Sequence, residues 1–243
     1  MKRAIVAAAA AGLAVSFAHA DVYNDNVGST TAGGDLHDFF ASQGFNHLDI
    51  VSVTVTNDSQ FLCFDIKVNA DIDSTNWGKY IVGIDTGANA GDNSTDPGSW
   101  NRNVDWGRGI TDFLGTWADD GGSGMGGEWR HFDGSTWSLA DATYLGGGLI
   151  TGSDADHASG VQRVWVDYTA MGLAVGDTIE FDVFSSGGGA DPGVDHLSRS
   201  DAATTDWGTT SVAGDFLRYT IVPTPSTLAL MGLGVLGAAR RRR

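Results

Sequence analysis

The chain has 243 residues and is poor in several residue types, and each shortage closes off a class of protein. There is one cysteine, Cys63, so no intramolecular disulfide can staple the fold. Cys63 sits in the strand-like run Phe61 to Ile66 and reads as a packed thiol, because a nucleophilic cysteine needs a base beside it. Basic residues are scarce in the body. Six of the 14 lysines and arginines crowd the two ends (Lys2, Arg3 and Arg240 to Arg243), leaving 8 against all 30 acidic residues, a net charge of −22. A surface of that sign does not recognise phosphate backbones, so nucleic acid is excluded as a partner. Catalytic signatures are missing as well: there is no His-Glu-x-x-His of a zinc hydrolase, no Gly-x-Ser-x-Gly elbow and no phosphate-cradling loop. Glutamate is nearly absent. Of the 30 acids 28 are aspartate, which bonds its own backbone in turns and, on loops, offers the oxygen ligands that Ca²⁺ prefers.

Apolar residues are present and strongly patterned. A basic head (Met1 to Arg3), an apolar stretch (Ala4 to Phe17) and the small-x-small site Ala18-His19-Ala20 make up a secretory signal peptide over residues 1–20, removed by signal peptidase. Residues 21–222 then form one domain, long enough to bury a core unaided. Within it Ile50 to Thr56 alternates, with Val51, Val53 and Val55 on one face. Phe61 to Val68 aligns Leu62, Phe64, Ile66 and Val68. Thr178 to Phe184 turns Ile179, Phe181 and Val183 inward and Glu180 and Asp182 outward. Val161 to Tyr168 and Phe216 to Val222 read alike, with shorter strands at Tyr80 to Asp85, Phe113 to Trp117, Glu128 to Phe132 and Thr136 to Leu139. Helical signal is confined to Asp35 to Gln43, behind an aspartate cap, and to a turn at Tyr168 to Gly176. Asp119 to Gly127 is a long surface loop. The pattern predicts an all-β protein: an antiparallel β-sandwich, jelly-roll-like, with an N-terminal signal helix and a short C-terminal transmembrane helix. Asn76-Trp77-Gly78, Asp105-Trp106-Gly107 and Asp206-Trp207-Gly208 repeat one motif, read as an Asx turn whose tryptophan covers a sheet end.

The last 21 residues, 223–243, have a composition of their own. Pro223-Thr224-Pro225 is followed by 14 uncharged residues, Ser226 to Ala239, and then by Arg240, Arg241, Arg242 and Arg243. The apolar stretch is near the lower limit for crossing a bilayer, and four arginines would stay on the cytoplasmic side. This order resembles the PEP-CTERM sorting signal, with Thr224 standing where that family usually has glutamate. The resemblance implies an exported precursor anchored in the inner membrane of a Gram-negative bacterium. It also implies recognition by an exosortase and delivery to the cell surface or extracellular matrix. The body, through Leu48 to Asp58, Phe61 to Ile66 and the Met171 to Val183 hairpin, is similar to carbohydrate-binding sandwich modules of the family 9 or DOMON-like kind.

Three functional readings follow: a non-catalytic surface or matrix component, a carbohydrate-binding module for exopolysaccharide, and a secreted polysaccharide hydrolase. Most of the eight tryptophans read as core or edge plugs. For sugar binding the candidates are Trp165 and Arg163, outward on one strand if Val164 and Val166 face the core, together with Trp129. Glu128, beside Trp129, is the most suggestive acid, because a neighbouring tryptophan can raise a carboxyl pKa. Asp85, Asn89, Asp92 and Asp96 crowd one loop and could surround Ca²⁺; the loop Asp191 to His196 is a weaker acidic candidate. His37, His47, His131 and His157 show no ligand spacing and read as surface or capping residues.

Overall fold

The computed structural model describes residues 20–75, 77–94, 100–118 and 125–224. The expected signal peptide up to residue 19, the tail from Pro225 onward with its expected transmembrane helix, Asn76, Asp96 and most of the Asp119 to Gly127 loop lie outside the described residues. Among the described residues are fourteen strands and one short α-helix, joined by turns and single 3-10 turns. They are β1 (Ala20–Asn24), α1 (Asp38–Ala41), β2 (Ile50–Asn57), β3 (Phe61–Val68), β4 (Lys79–Asp85), β5 (Val104–Asp105), β6 (Asp112–Trp117), β7 (Gly126–Phe132), β8 (Trp137–Ala142), β9 (Ile150–Ser153), β10 (Val161–Asp167), β11 (Thr178–Ser186), β12 (Asp195–His196), β13 (Ser211–Val212) and β14 (Leu217–Thr220). Among the described residues no helix is long and apolar enough to cross a membrane.

Two antiparallel sheets form the body. One has five strands in the order β1-β2-β3-β10-β9. The other has seven, β12-β11-β4-β6-β7-β8, with β14 also paired to β11. The chain crosses between them after β3, after β8 and after β10. The alternation read from sequence is why they stack. Val53, Val55, Leu62, Phe64, Ile66, Val68, Val164 and Val166 project from the first sheet into one apolar cluster with Tyr80, Val82, Ile84, Leu114, Ile179, Phe181 and Val183 from the second. At the start of β2 the expectation fails by one residue. A register shift between Ile50 and Ser52 puts Ile50, not Val51, in the core.

The second sheet is covered on its other face too. Ile81, Phe113 and Phe184, one residue out of phase with the core positions, pack under Val104, Trp106 and Ile110. The covering segments are joined by β5 and β13, a short parallel pair. Two strand glycines make room for the cover: a Cβ on Gly83 would lie 2.4 Å from the Trp106 ring, and one on Gly115 2.5 Å from Trp100. The Asx turn read into the repeated tripeptide is present at 105–107 and 206–208, but Trp106 covers the face of a central strand and not a sheet end. Asp105 accepts the N–H of Gly107, and Asp206 that of Gly208, each at 2.8 Å. Trp77 and Trp207 meet in a third cluster around Phe40, Phe45 and Leu48.

Four local expectations are corrected. Asp182 does not face solvent; it is fully buried beneath the second layer. The cap of α1 is His37, whose Nδ1 accepts the Phe39 N–H at 3.2 Å, and not Asp35. Residues 168–176 form no helix; a carboxylate oxygen of Asp167 instead accepts the N–H groups of Thr169 and Ala170 in a turn. His47 and His157 are buried rather than superficial.

Candidate functional site

The outer face of the five-stranded sheet is open to solvent, and strand register sets out its residues in rows. One row runs Ala20, Thr56, Cys63, Trp165, Thr151; the next runs Val22, Thr54, Asp65, Arg163, Ser153. Trp165 and Arg163 are therefore neighbours on this face, half-buried, with the guanidinium 5.8 Å from the ring centroid. Arg163 is fixed by a two-pronged bond to Asp65 at 2.5 and 2.6 Å and reaches Asp156 at 3.1 Å. Trp129 does not join them. It belongs to the other sheet, is only 3% exposed, and gives its indole N–H to Asp112 at 2.8 Å.

The described members of the expected cation loop are each engaged by other protein groups. Asp85 is ion-paired with Arg108 and also accepts the Gly87 N–H at 2.8 Å. Asn89 is occupied by the Phe132 carbonyl and the Gly91 N–H, and Asp92 accepts the Trp137 indole N–H at 2.6 Å. Glu128 is likewise engaged. Burial pushes its carboxyl pKa up, but hydrogen bonds from Trp100, Tyr144 and Arg130, each 2.9 Å, outweigh burial and hold it below the ordinary value. That favours a standing carboxylate rather than a proton donor.

The acids that do converge come from four separate segments. Asp25 follows β1, Asp35 precedes α1, Asp49 leads into β2, and Asp195 lies in β12 at the edge of the seven-stranded sheet. Asp25, Asp35 and Asp195 each place a carboxylate oxygen within 4.8 Å of the others. Asp195 accepts the Ile50 N–H at 2.6 Å, and one oxygen of Asp49 accepts from Gly28 and Asn69. Asp25 Oδ1 accepts the Asn26 N–H at 2.9 Å. Both carboxylate oxygens of Asp35, Oδ2 of Asp25 and Oδ1 of Asp49 are buried without a hydrogen-bond partner. Burial, and then the negative charge of the neighbouring aspartates, raises the pKa of Asp25 and Asp195, and Asp49 is pushed up to about 6 by burial and Asp35. Sequence reasoning reached only Asp195, in its weaker acidic loop.

A second buried constellation was not legible in the sequence. Asp182 bonds His196 Nδ1 at 2.6 Å, and His196 Nε2 meets Ser211 Oγ at 3.1 Å. These are the hydrogen bonds of a nucleophilic triad. But Ser211 and His196 are 0% and 1% exposed, the serine oxygen already accepts the Gly193 N–H, and His196 is stacked on Phe184. The row joins β11, β12 and β13 and leaves a substrate no approach to the hydroxyl. Nearby, a shallow cleft of about 550 Å³ is lined by Trp106, Arg108, Arg199 and Phe216. Both of its arginines are already paired with carboxylates.

The end of the folded body is held by one side chain. Asn57 accepts the N–H of Val222 at 3.0 Å, donates to its carbonyl at 2.9 Å, and also accepts the Tyr219 hydroxyl at 2.8 Å. From this clamp onward, residues 222–243 match the PEP-CTERM protein-sorting motif. The chain carries a PEP-CTERM tail. The motif implies an exported protein whose precursor is processed by exosortase. The match spans the tail alone, and within it Pro223 and Thr224 are described while Pro225 and Arg240 to Arg243 are not. No curated protein and no solved structure matches the chain, and the likeness of the body to family 9 or DOMON-like modules is not confirmed.

Proposed function

We propose that this is a non-catalytic component of the cell surface or extracellular matrix, held at the inner membrane by its tail until exosortase acts. The PEP-CTERM motif carries this reading, because it starts at the residue where Asn57 closes the folded body. A processing enzyme would find the Pro223-Thr224-Pro225 segment next to a fixed anchor point. The engaged state of Glu128 and the sealed Asp182-His196-Ser211 row support a body without hydrolytic chemistry. The test is fractionation of the full chain in an exosortase-bearing host and in one lacking the protease. A membrane-bound precursor that accumulates only without the protease is the expected result. A body that reaches the medium unprocessed in both hosts would overturn it.

A second reading, glycan binding, rests on the open face around Trp165. A half-buried indole beside a fixed guanidinium, in rows with Thr54, Thr56 and Thr151, offers a flat stacking surface with flanking hydroxyls. Retention of the chain on matrix polysaccharide, abolished by Trp165→Ala, is the result that would move the assignment from matrix component to glycan binder.

A further inference from the structure

We propose that Asp25, Asp35 and Asp195, backed by Asp49, form a Ca²⁺ site that ties the first strand of the body to the edge of the opposite sheet. The geometry comes first. Ca²⁺ holds its oxygens at about 2.3–2.6 Å, so two ligands on opposite sides of one ion are roughly 5 Å apart. Oxygens from Asp25, Asp35 and Asp195 all lie within 4.8 Å of one another, a spacing one ion can bridge.

The second observation is the state of the oxygens. Buried polar atoms in folded proteins almost always have partners. Among the described residues nine buried side-chain nitrogen or oxygen atoms lack one, and four of the nine belong to Asp25, Asp35 and Asp49. Asp35 is the decisive case, because it is 1% exposed and neither of its carboxylate oxygens has a hydrogen bond of good geometry, its nearest polar company being the Asp25 carboxyl and the Asn26 N–H. A buried, unpartnered carboxylate beside three others is costly unless a cation is shared between them. No lysine or arginine is ion-paired to any of the four among the described pairs. The donors are all oxygen, which selects a hard cation, and they come from four separate segments, three of them outside regular strands, which suits the flexible coordination of Ca²⁺ better than the strict octahedron of Mg²⁺. Asp25 is the one partly exposed member and marks the side from which an ion enters.

The location gives the ion a role. Asp25 directly follows β1, whose strand pairs along β2, and Asp195 sits on β12 of the other sheet, 170 positions further along the chain. An ion shared between them ties the two sheets together across 170 positions of chain. A chain folding after export, where Ca²⁺ is available, would be locked by it. Extracellular modules commonly bind Ca²⁺ at about 10⁻⁴–10⁻³ M, which is sufficient for that purpose. This inference stands whether or not the tail is processed.

The test uses the exported chain with its tail, in mild detergent, stripped by chelator and titrated with CaCl₂ and, separately, MgCl₂. Calorimetry should show one Ca²⁺ per chain, at least tenfold weaker Mg²⁺ binding, and a melting temperature that rises with Ca²⁺. Asp35→Asn should weaken Ca²⁺ binding at least tenfold while melting above the wild type in chelator, since it removes one repelling charge and no hydrogen bond of good geometry. Asp92→Asn, in the acidic loop where Asp92 is held by Trp137, should leave binding unchanged. Should Asp35→Asn not fold, the partly exposed Asp25→Asn carries the same comparison. The proposal is overturned if no saturable Ca²⁺ binding occurs, or if Asp92→Asn abolishes it while the Asp35 and Asp25 variants bind normally.

Discussion

The two sheets of this body have similar inner faces and opposite outer ones. Both send alternating aliphatic residues into the shared core. Beyond that the seven-stranded sheet is covered again, by Trp106 and its neighbours over Ile81, Phe113 and Phe184, whereas the five-stranded sheet ends in threonines, ions and a single tryptophan open to water. Where a sheet is buried on both faces, as along β4, β6 and β11, its residues are structural. A sheet with one wet face has side chains free to meet something else. The difference separates the eight tryptophans: Trp106 and Trp100 lie on strand glycines as packing, and Trp165 lies on the free face.

The largest effect should come from removing the second layer. Trp106 is 1% exposed and its ring rests on Gly83. Trp106→Ala should cost about 3–5 kcal/mol in urea unfolding, the usual penalty for emptying a site of that size. A loss below about 1 kcal/mol would mean that the cover is loose and that the two sheets are alike after all. The reciprocal change should be nearly as severe. With a Cβ already 2.4 Å from a buried ring, Gly83→Val overpacks the same contact and should cost about 3 kcal/mol.

Next comes Cys63, which lies in the Trp165 row of the wet sheet yet is only 9% exposed. Burial first, and then Asp65, push its thiol up to about 12. At pH 8 the thiolate fraction falls by roughly three powers of ten against a free cysteine, and the greater nucleophilicity of a more basic thiolate restores part of that. Alkylation should therefore run on the order of a hundredfold slower than for the unfolded chain and accelerate with pH beyond pH 10. The same shift has a stability consequence of fixed sign. With the folded pKa above the unfolded one, the contribution is complete below about pH 8.5 and is lost as pH rises towards 12. Rapid labelling at pH 8 would show that the outer face opens far more readily than its packing implies.

Much of this contrast was legible in the sequence, and its limits have physical causes. Period-two alternation in Phe61 to Val68 and in Ile179, Phe181 and Val183 locates core residues correctly, because one face of each strand must leave water. The same rule misplaces Asp182, since it takes the opposite face to be wet and cannot register a second layer supplied by residues about 75 positions earlier in the chain. The Trp-Gly turns were readable because an Asx turn is local. The carboxylate cluster was not, because Asp25, Asp35, Asp49 and Asp195 converge only through topology. One signal was nevertheless present: Asp49 lies between Leu48 and Ile50, and Asp195 follows Val194, all buried apolar residues. An aspartate embedded in core sequence is a better pointer to a buried site than one in a polar loop, where Asp85, Asn89 and Asp92 are each taken up by neighbouring protein groups.

The smallest stability effect is expected where functional information would be greatest. Thr54→Ala, on the wet face opposite Asp65, should change stability by no more than about 0.5 kcal/mol. Trp165→Ala should cost more, about 1 kcal/mol, because the ring is half-buried against Arg163, but far less than Trp106→Ala. The pair of tryptophan variants measures the asymmetry between the sheets directly. If Trp165→Ala proves as damaging as Trp106→Ala, the outer face of the five-stranded sheet is a packed surface awaiting a cover, and an exposed stacking ring is the wrong description of it. If it is mild and polysaccharide retention is lost with it, the ring is spared from packing because it has another partner.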